Sequence, residues 1–152
     1  MMHRNISSPL GALTLIAVLL LASLQSIASP LAGGAFQSDF ESFTRGAALS
    51  GRFEITQEGG RSYLQFGDSF RAQNAPDLKV FLSRQVPGDV TGRNATRDAV
   101  RLGKLQSFRG GQRYLIPDHV DLADFTTVIV HCEAYAKLWG TGQLASTTRL
   151  HP

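Results

Sequence analysis

Apolar and polar side chains alternate one by one over much of the chain, which is the period of a half-buried β-strand. In "GRFEITQ" (51–57), Phe53 and Ile55 fall on one face and Arg52, Glu54 and Thr56 on the other. "EGG" (58–60) is a turn, because its glycines take positive φ without strain. "RSYLQF" (61–66) then returns with Leu64 and Phe66 on one face, so 51–66 is predicted to be a hairpin. "DLKVFLS" (77–83) aligns Leu78, Val80 and Leu82. It follows Pro76, which cannot donate to a ladder and suits the start of a strand.

Residues 84–98, "RQVPGDVTGRNATRD", are polar and rich in turn formers. They predict a loop with too little apolar surface to pack on its own. "AVRLGKLQSF" (99–108) resumes the strand pattern with Val100 and Leu102 and is expected to break at Gly103. "GG" (110–111) turns the chain into "QRYLI", which Pro117 ends. After residue 28 no segment sustains i, i+3, i+4, i+7 apolar spacing; the nearest, Phe36, Phe40 and Phe43, fits a single helical turn. Short strands between Gly/Pro turns predict an all-β fold, a single antiparallel β-sandwich of about seven to ten strands.

The N-terminus follows a different pattern. "MMHRNISSP" carries one charge, Arg4, and an uncharged apolar run extends from Leu10 to Leu24. Ser26 and Ala28 then stand at the small-residue positions that a signal peptidase needs. This is the layout of a secretory signal peptide over 1–28, with cleavage after Ala28. The run is short against the ~20 residues that cross a bilayer, so no membrane span is expected after cleavage. The expected product is secreted, periplasmic or on the cell surface. Removing 28 of 152 residues leaves 124, enough for one domain and too few for two. The organisation read from the sequence is a signal peptide at 1–28, a linker or first element at 29–45, a β-domain at 46–144 and a polar tail at 145–152.

Charge changes little in this picture. Without Arg4 there are 14 basic against 12 acidic side chains, and the basic ones, mostly arginine, are scattered along the chain. Scattered arginines are solvated surface, so no nucleic-acid partner is indicated. Asp118, Asp121 and Asp124 fit turn caps and surface charges. Asn94 opens a formal glycosylation sequon in the 84–98 loop.

Cysteine counting is more informative. Cys132 is the only cysteine. It excludes an internal disulfide and dithiol exchange, and leaves a buried thiol, an intermolecular bond or a covalent adduct. Read as one strand over 126–138, the chain puts Val128, Val130 and Cys132 on the apolar face and His131 and Glu133 on the other. Adjacent strand residues point apart, which removes a Cys132–His131 nucleophile pair. Both methionines lie at the N-terminus, which removes a blue-copper set, and the remaining histidines, His119, His131 and His151, form no metal-binding motif. No cofactor is identified, and no acid–base constellation marks an enzyme.

Taken in order, "ALSGRFEI", "RSYLQF", "NAPDLKVFLS", "RLGKL" and "GGQRYLIPDHVDLADFTTVIVHCEAYAKLWG" resemble the DM-thirteen domain, also called the electron-transfer DM domain, over roughly 46–144. The resemblance implies a secreted or cell-surface β-rich domain, a jelly-roll or DOMON-like sandwich, in animals often joined to DOMON-type redox domains. It implies that Cys132 falls on the family cysteine, proposed to serve extracellular electron transfer or to hold a redox-active group. On that basis the chain is an exported redox-associated module centred on Cys132, with His131 and Glu133 as tuning neighbours and a redox protein or other cell-surface protein as partner. The alternative is a non-catalytic extracytoplasmic binding or structural domain in which Cys132 is core and the 84–98 loop supplies contacts.

Overall fold

The computed structural model describes residues 30–38 and 47–146. The signal-peptide expectation at 1–28, the Phe40/Phe43 turn and the tail beyond 146 lie outside them. The described residues hold eleven strands, three short 3-10 turns and no α-helix. The strands are β1 (Ala32–Ser38), β2 (Leu49–Ser50), β3 (Arg52–Glu58), β4 (Arg61–Phe66), β5 (Arg71–Ala72), β6 (Leu78–Ser83), β7 (Ala99–Lys104), β8 (Gln112–Leu115), β9 (Thr127–Cys132), β10 (Lys137–Gln143) and β11 (Ala145–Ser146). The count exceeds the expected seven to ten because β2, β5 and β11 are two-residue pieces.

All the pairings are antiparallel. The main sheet runs β7-β6-β9-β10-β1-β3-β4-β8, with β11 on β1. Its two halves meet in β1, whose Ala32–Ala35 pair with β3 and whose Phe36–Ser38 pair with β10. The sheet curls until its terminal strands β7 and β8 face each other, which makes it nearly barrel-like. Side chains, not a ladder, close that seam. The Gln106 amide donates to Gln112 Oε1 at 3.0 Å and to the Tyr114 hydroxyl at 3.2 Å, and Gln106 Nε2 donates to the Arg113 carbonyl at 2.8 Å.

The predicted hairpin is present. β3 and β4 pair from Phe53–Phe66 out to Glu58–Arg61, and the turn is Gly59-Gly60 with φ of 57° and 77°. β6 presents Leu78, Val80 and Leu82 to the main core as its alternation predicts. The break expected at Gly103 takes another form. β7 continues to Lys104, and Leu102 is the extra residue of a bulge opposite Val80 and Phe81. The segment 29–45 contributes β1, a strand inside the sheet rather than at its edge.

The core fills the space between the halves. Phe36, Phe53, Phe66, Phe70 and Tyr114 pack as a chain of rings with centroids 4.6–5.6 Å apart. The pairing of β1 with β10 leaves no room for a side chain at Gly34, Gly140 or Gly142; a Cβ on Gly142 would sit 2.2 Å from Phe53 Cε1 and 3.0 Å from the Ala35 carbonyl. Neither neighbour is the loose end of a flexible chain, so the backbone must move to admit one. Gly142→Val is therefore expected to destabilise the fold by about 2 kcal/mol or more, as overpacking a well-filled core does. A urea midpoint unchanged from wild type would refute that packing.

Candidate functional site

Strand β9, "TVIVHC", has every residue buried, although a half-buried strand would alternate. Its even positions Val128, Val130 and Cys132 enter the main core. On the odd face, Ile129 packs with Phe81, Val90, Ala95 and Leu138 in a second, smaller cluster. Val90 and Ala95 come from the 84–98 segment, so this polar loop packs on the sheet after all. Its own hydrogen bonds make that affordable: Gln85 Nε2 donates to the carbonyls of Asn94 (3.0 Å) and Arg97 (2.8 Å). Asn94 Oδ1 accepts from the Thr91 amide (2.7 Å) and its Nδ2 donates to the Asp89 carbonyl (2.8 Å), so the sequon side chain is part of the loop's frame.

Cys132 closes β9, opposite Leu78 of β6 and Lys137 of β10. It is a free thiol with 0% exposure. The strand does not run through to 138 as read from the sequence. It ends at Cys132, and Glu133–Tyr135 form a 3-10 turn closed by Ala136 in the left-handed region (φ 46°, ψ 43°). That turn is the thiol's nearest boundary with solvent along the chain: Ala134, Tyr135 and Ala136 are exposed, Tyr135 at 70%. After it, a bulge makes Trp139 an extra residue between Leu138 and Gly140, which pair with His131 and Val130. Leu138 joins the outer cluster, while Trp139 joins the core with Cys132 and donates from Nε1 to the Gln73 carbonyl at 3.0 Å.

His131 faces away from Cys132, as the two-residue period requires, and is 3% exposed. Its Nε2 lies 2.9 Å from the Gly92 carbonyl oxygen. A carbonyl only accepts, so Nε2 carries the proton and Nδ1 holds a lone pair. Nδ1 is buried with no hydrogen-bond partner. Burial is the main reason that the imidazole pKa lies below its ordinary value; the Gly92 carbonyl and Glu133 oppose that shift and the Lys79 ammonium adds to it.

Lys79 stands directly across the ladder from His131. Its Nζ is 2.8 Å from Asp77 Oδ2 and also hydrogen-bonds Glu133 Oε2. The same Glu133 oxygen accepts from Arg101 Nη2 at 2.8 Å. Hydrogen bonds to Asp77 and then Glu133 raise the Lys79 pKa, and the Lys79 bond holds the Asp77 carboxyl below its ordinary value. A nearly buried ammonium is tolerable because two carboxylates face it.

The structure thus joins two of the three sequence candidates, His131 and Glu133, through Lys79, and puts Cys132 behind the strand from them. Lys79, Asp77, Arg101 and Gly92 escaped the sequence reading, since their meeting depends on the β6–β9 and β6–β7 registers and on the course of the 84–98 loop. Among the other candidates, Asp121 Oδ1 accepts from the Ala123 amide (3.0 Å), Asp124 lies 3.6 Å from Arg84 at the surface and His119 is exposed. Among the described residues no three His, Cys, Asp or Glu side chains group as a metal site, and no helix is long and apolar enough to cross a membrane.

A family model described as Electron transfer DM13 matches residues 39–144. The chain belongs to the DM13 family. The match spans β2 to β10, including the 84–98 loop, Cys132 and its turn. No curated protein and no solved structure matches the chain.

Because Cys132 packs among apolar side chains, its replacements sort by polarity. Cys132→Ala is expected to fold with a loss of about 1 kcal/mol, the scale of a small cavity. Cys132→Ser is expected to lose more, because burying a hydroxyl without a partner costs about 1–3 kcal/mol. Equal urea midpoints for the two variants would mean that the side chain reaches water.

Proposed function

We propose that this chain is an exported electron-transfer module that centres on Cys132 and acts with a separate redox partner. The observation that carries the proposal is membership of the family described as Electron transfer DM13, over a match that includes the chain's single cysteine. Export is supported by the charged start, the apolar run from Leu10 to Leu24 and the small residues Ser26 and Ala28. The curled sheet serves as a sandwich-like scaffold that carries the thiol at the end of a central strand.

A lone thiol has one balanced route into redox chemistry with a protein. The Cys132 thiolate attacks one sulfur of a partner disulfide, the partner's S–S bond breaks, and the departing partner thiolate takes up a proton equivalent to the one Cys132 gave up. The product is a mixed disulfide. Because Cys132 is fully buried, that attack requires a local opening, and the turn at Glu133–Tyr135 is the short, largely exposed element beside it. Openings of such elements cost less than global unfolding.

The burial itself favours the second reading, a non-catalytic extracytoplasmic binding or structural domain in which Cys132 is core and the 84–98 loop supplies contacts. Free cysteine is among the most buried residue types, and this one is 0% exposed. The two are separated by the non-reducing intact mass of the exported protein, with and without a thiol label under native conditions. The electron-transfer proposal expects an adduct, a disulfide-linked species, or labelling faster than global unfolding. An unmodified mass that takes label only on unfolding would leave Cys132 as core and remove the proposal's redox group.

A further inference from the structure

The 84–98 loop and the 133–136 turn meet at one point. A Cβ on Gly92 would lie 2.2 Å from the Ala136 carbonyl oxygen and 3.2 Å from Lys137 Cα, so the two backbones are in direct contact. The Gly92 carbonyl is also the hydrogen-bond partner of His131 Nε2, at 2.9 Å. His131 immediately precedes Cys132, and the turn immediately follows it. The loop therefore bears, through a single glycine, on both flanks of the thiol.

The chemistry of His131 makes that contact conditional on acid. With Nε2–H given to Gly92, a second proton can go only to Nδ1, which is buried and faces no acceptor. From β6, the Lys79 ammonium stands across from the ring. The Glu133 carboxylate in the turn acts on the ring as a counter-charge, but its Oε2 already receives Lys79 and Arg101. Phe81 presents its ring, 6.5 Å away centroid to centroid. On β10, Lys137 flanks Leu138, the residue paired with His131. From the loop comes the Gly92 carbonyl; its charged residues Arg84, Asp89, Arg93, Arg97 and Asp98 are exposed. The closed arrangement has a place for a neutral ring and none for an imidazolium.

We infer that His131 and Gly92 form an acid-released latch that clamps the 84–98 loop onto the 133–136 turn and so controls access to Cys132. The control of access rests on reading Cys132 as an exchanging thiol; the latch does not. The sign follows from the ring's environment. Closed, its pKa is depressed below 6.5; open and hydrated, it returns towards that value. The latch is at full strength above pH 6.5 and weakens as pH falls below it. Opening should rise by up to about tenfold per pH unit, the limit for one proton taken up.

The test uses the exported chain and two readouts between pH 5 and 8. Backbone amide hydrogen exchange over 84–98 and 133–136 reports the latch. Reaction with 4,4′-dithiodipyridine reports the thiol, because each mixed disulfide formed on Cys132 releases one equivalent of thiopyridone. His131→Gln keeps an N–H donor and cannot titrate, so the wild-type to variant ratio at each pH cancels the intrinsic chemistry of amide and thiol. Both ratios are expected to climb severalfold from pH 7.5 to 5.5. Gly92→Ala, which presses a methyl against the Ala136 carbonyl, is expected to exchange and label fast at every pH. A flat exchange ratio, or a Gly92→Ala protein as protected as wild type, overturns the latch whatever the thiol does. Rising exchange with flat labelling overturns its control of Cys132. Failure of the thiol reading itself is distinct: no variant labels short of global unfolding, while amide exchange still reports the latch.

Discussion

Burial of β9 on both faces is the constraint from which the region around Cys132 follows. Val128 and Val130 need the main core on one side, and Ile129 needs an apolar cover on the other. The sheet has no second layer to offer there, so the 84–98 loop supplies it with Val90 and Ala95 and holds itself down by internal hydrogen bonds. Once that face is sealed, every polar group on it needs a partner. Lys79 has its carboxylates and His131 has a carbonyl from the loop. The polar cluster is a consequence of a two-sided strand more than an addition to it.

The parts of the fold that were legible are those where one rule of physics acts alone. In β3 and β4 alternation maps onto core and exterior, and in β6 it marks the face turned to the main core although both faces are buried, so these inward faces could be read directly. The facing of Cys132 and His131 was legible for the same reason. β1 was not, because "AGGAFQS" owes its glycines to close approach and not to strand preference, and glycine weakens any strand signal. The turn after Cys132 escaped because "EAYA" has neither Gly nor Pro, and Ala136 takes a left-handed conformation that alanine seldom adopts. The Lys79–Glu133 pair joins residues 54 apart, and only the β6–β9 register brings them together.

For a member of an electron-transfer family, the placing of the sulfur is restrictive. Strand β9 stands as a wall, with Cys132 in apolar surroundings on one side and His131, Lys79 and Glu133 on the other. The two sides share a backbone and no direct side-chain bond. What happens to charge on the outer side can reach the thiol only through movement of the chain that links them, which is the three-residue turn and the loop pressed on it.

The seam between β7 and β8 carries a further consequence. A curled sheet that stops short of closure ends in two rows of backbone groups, and such rows recruit strands from other molecules. Here Gln106 spans the gap: its amide donates to Gln112 Oε1 and to the Tyr114 hydroxyl, and its Nε2 to the Arg113 carbonyl, so that amide and that carbonyl are no longer open to a foreign strand. The domain gives up the stability of a continuous ladder at that point and gains a side that resists self-assembly.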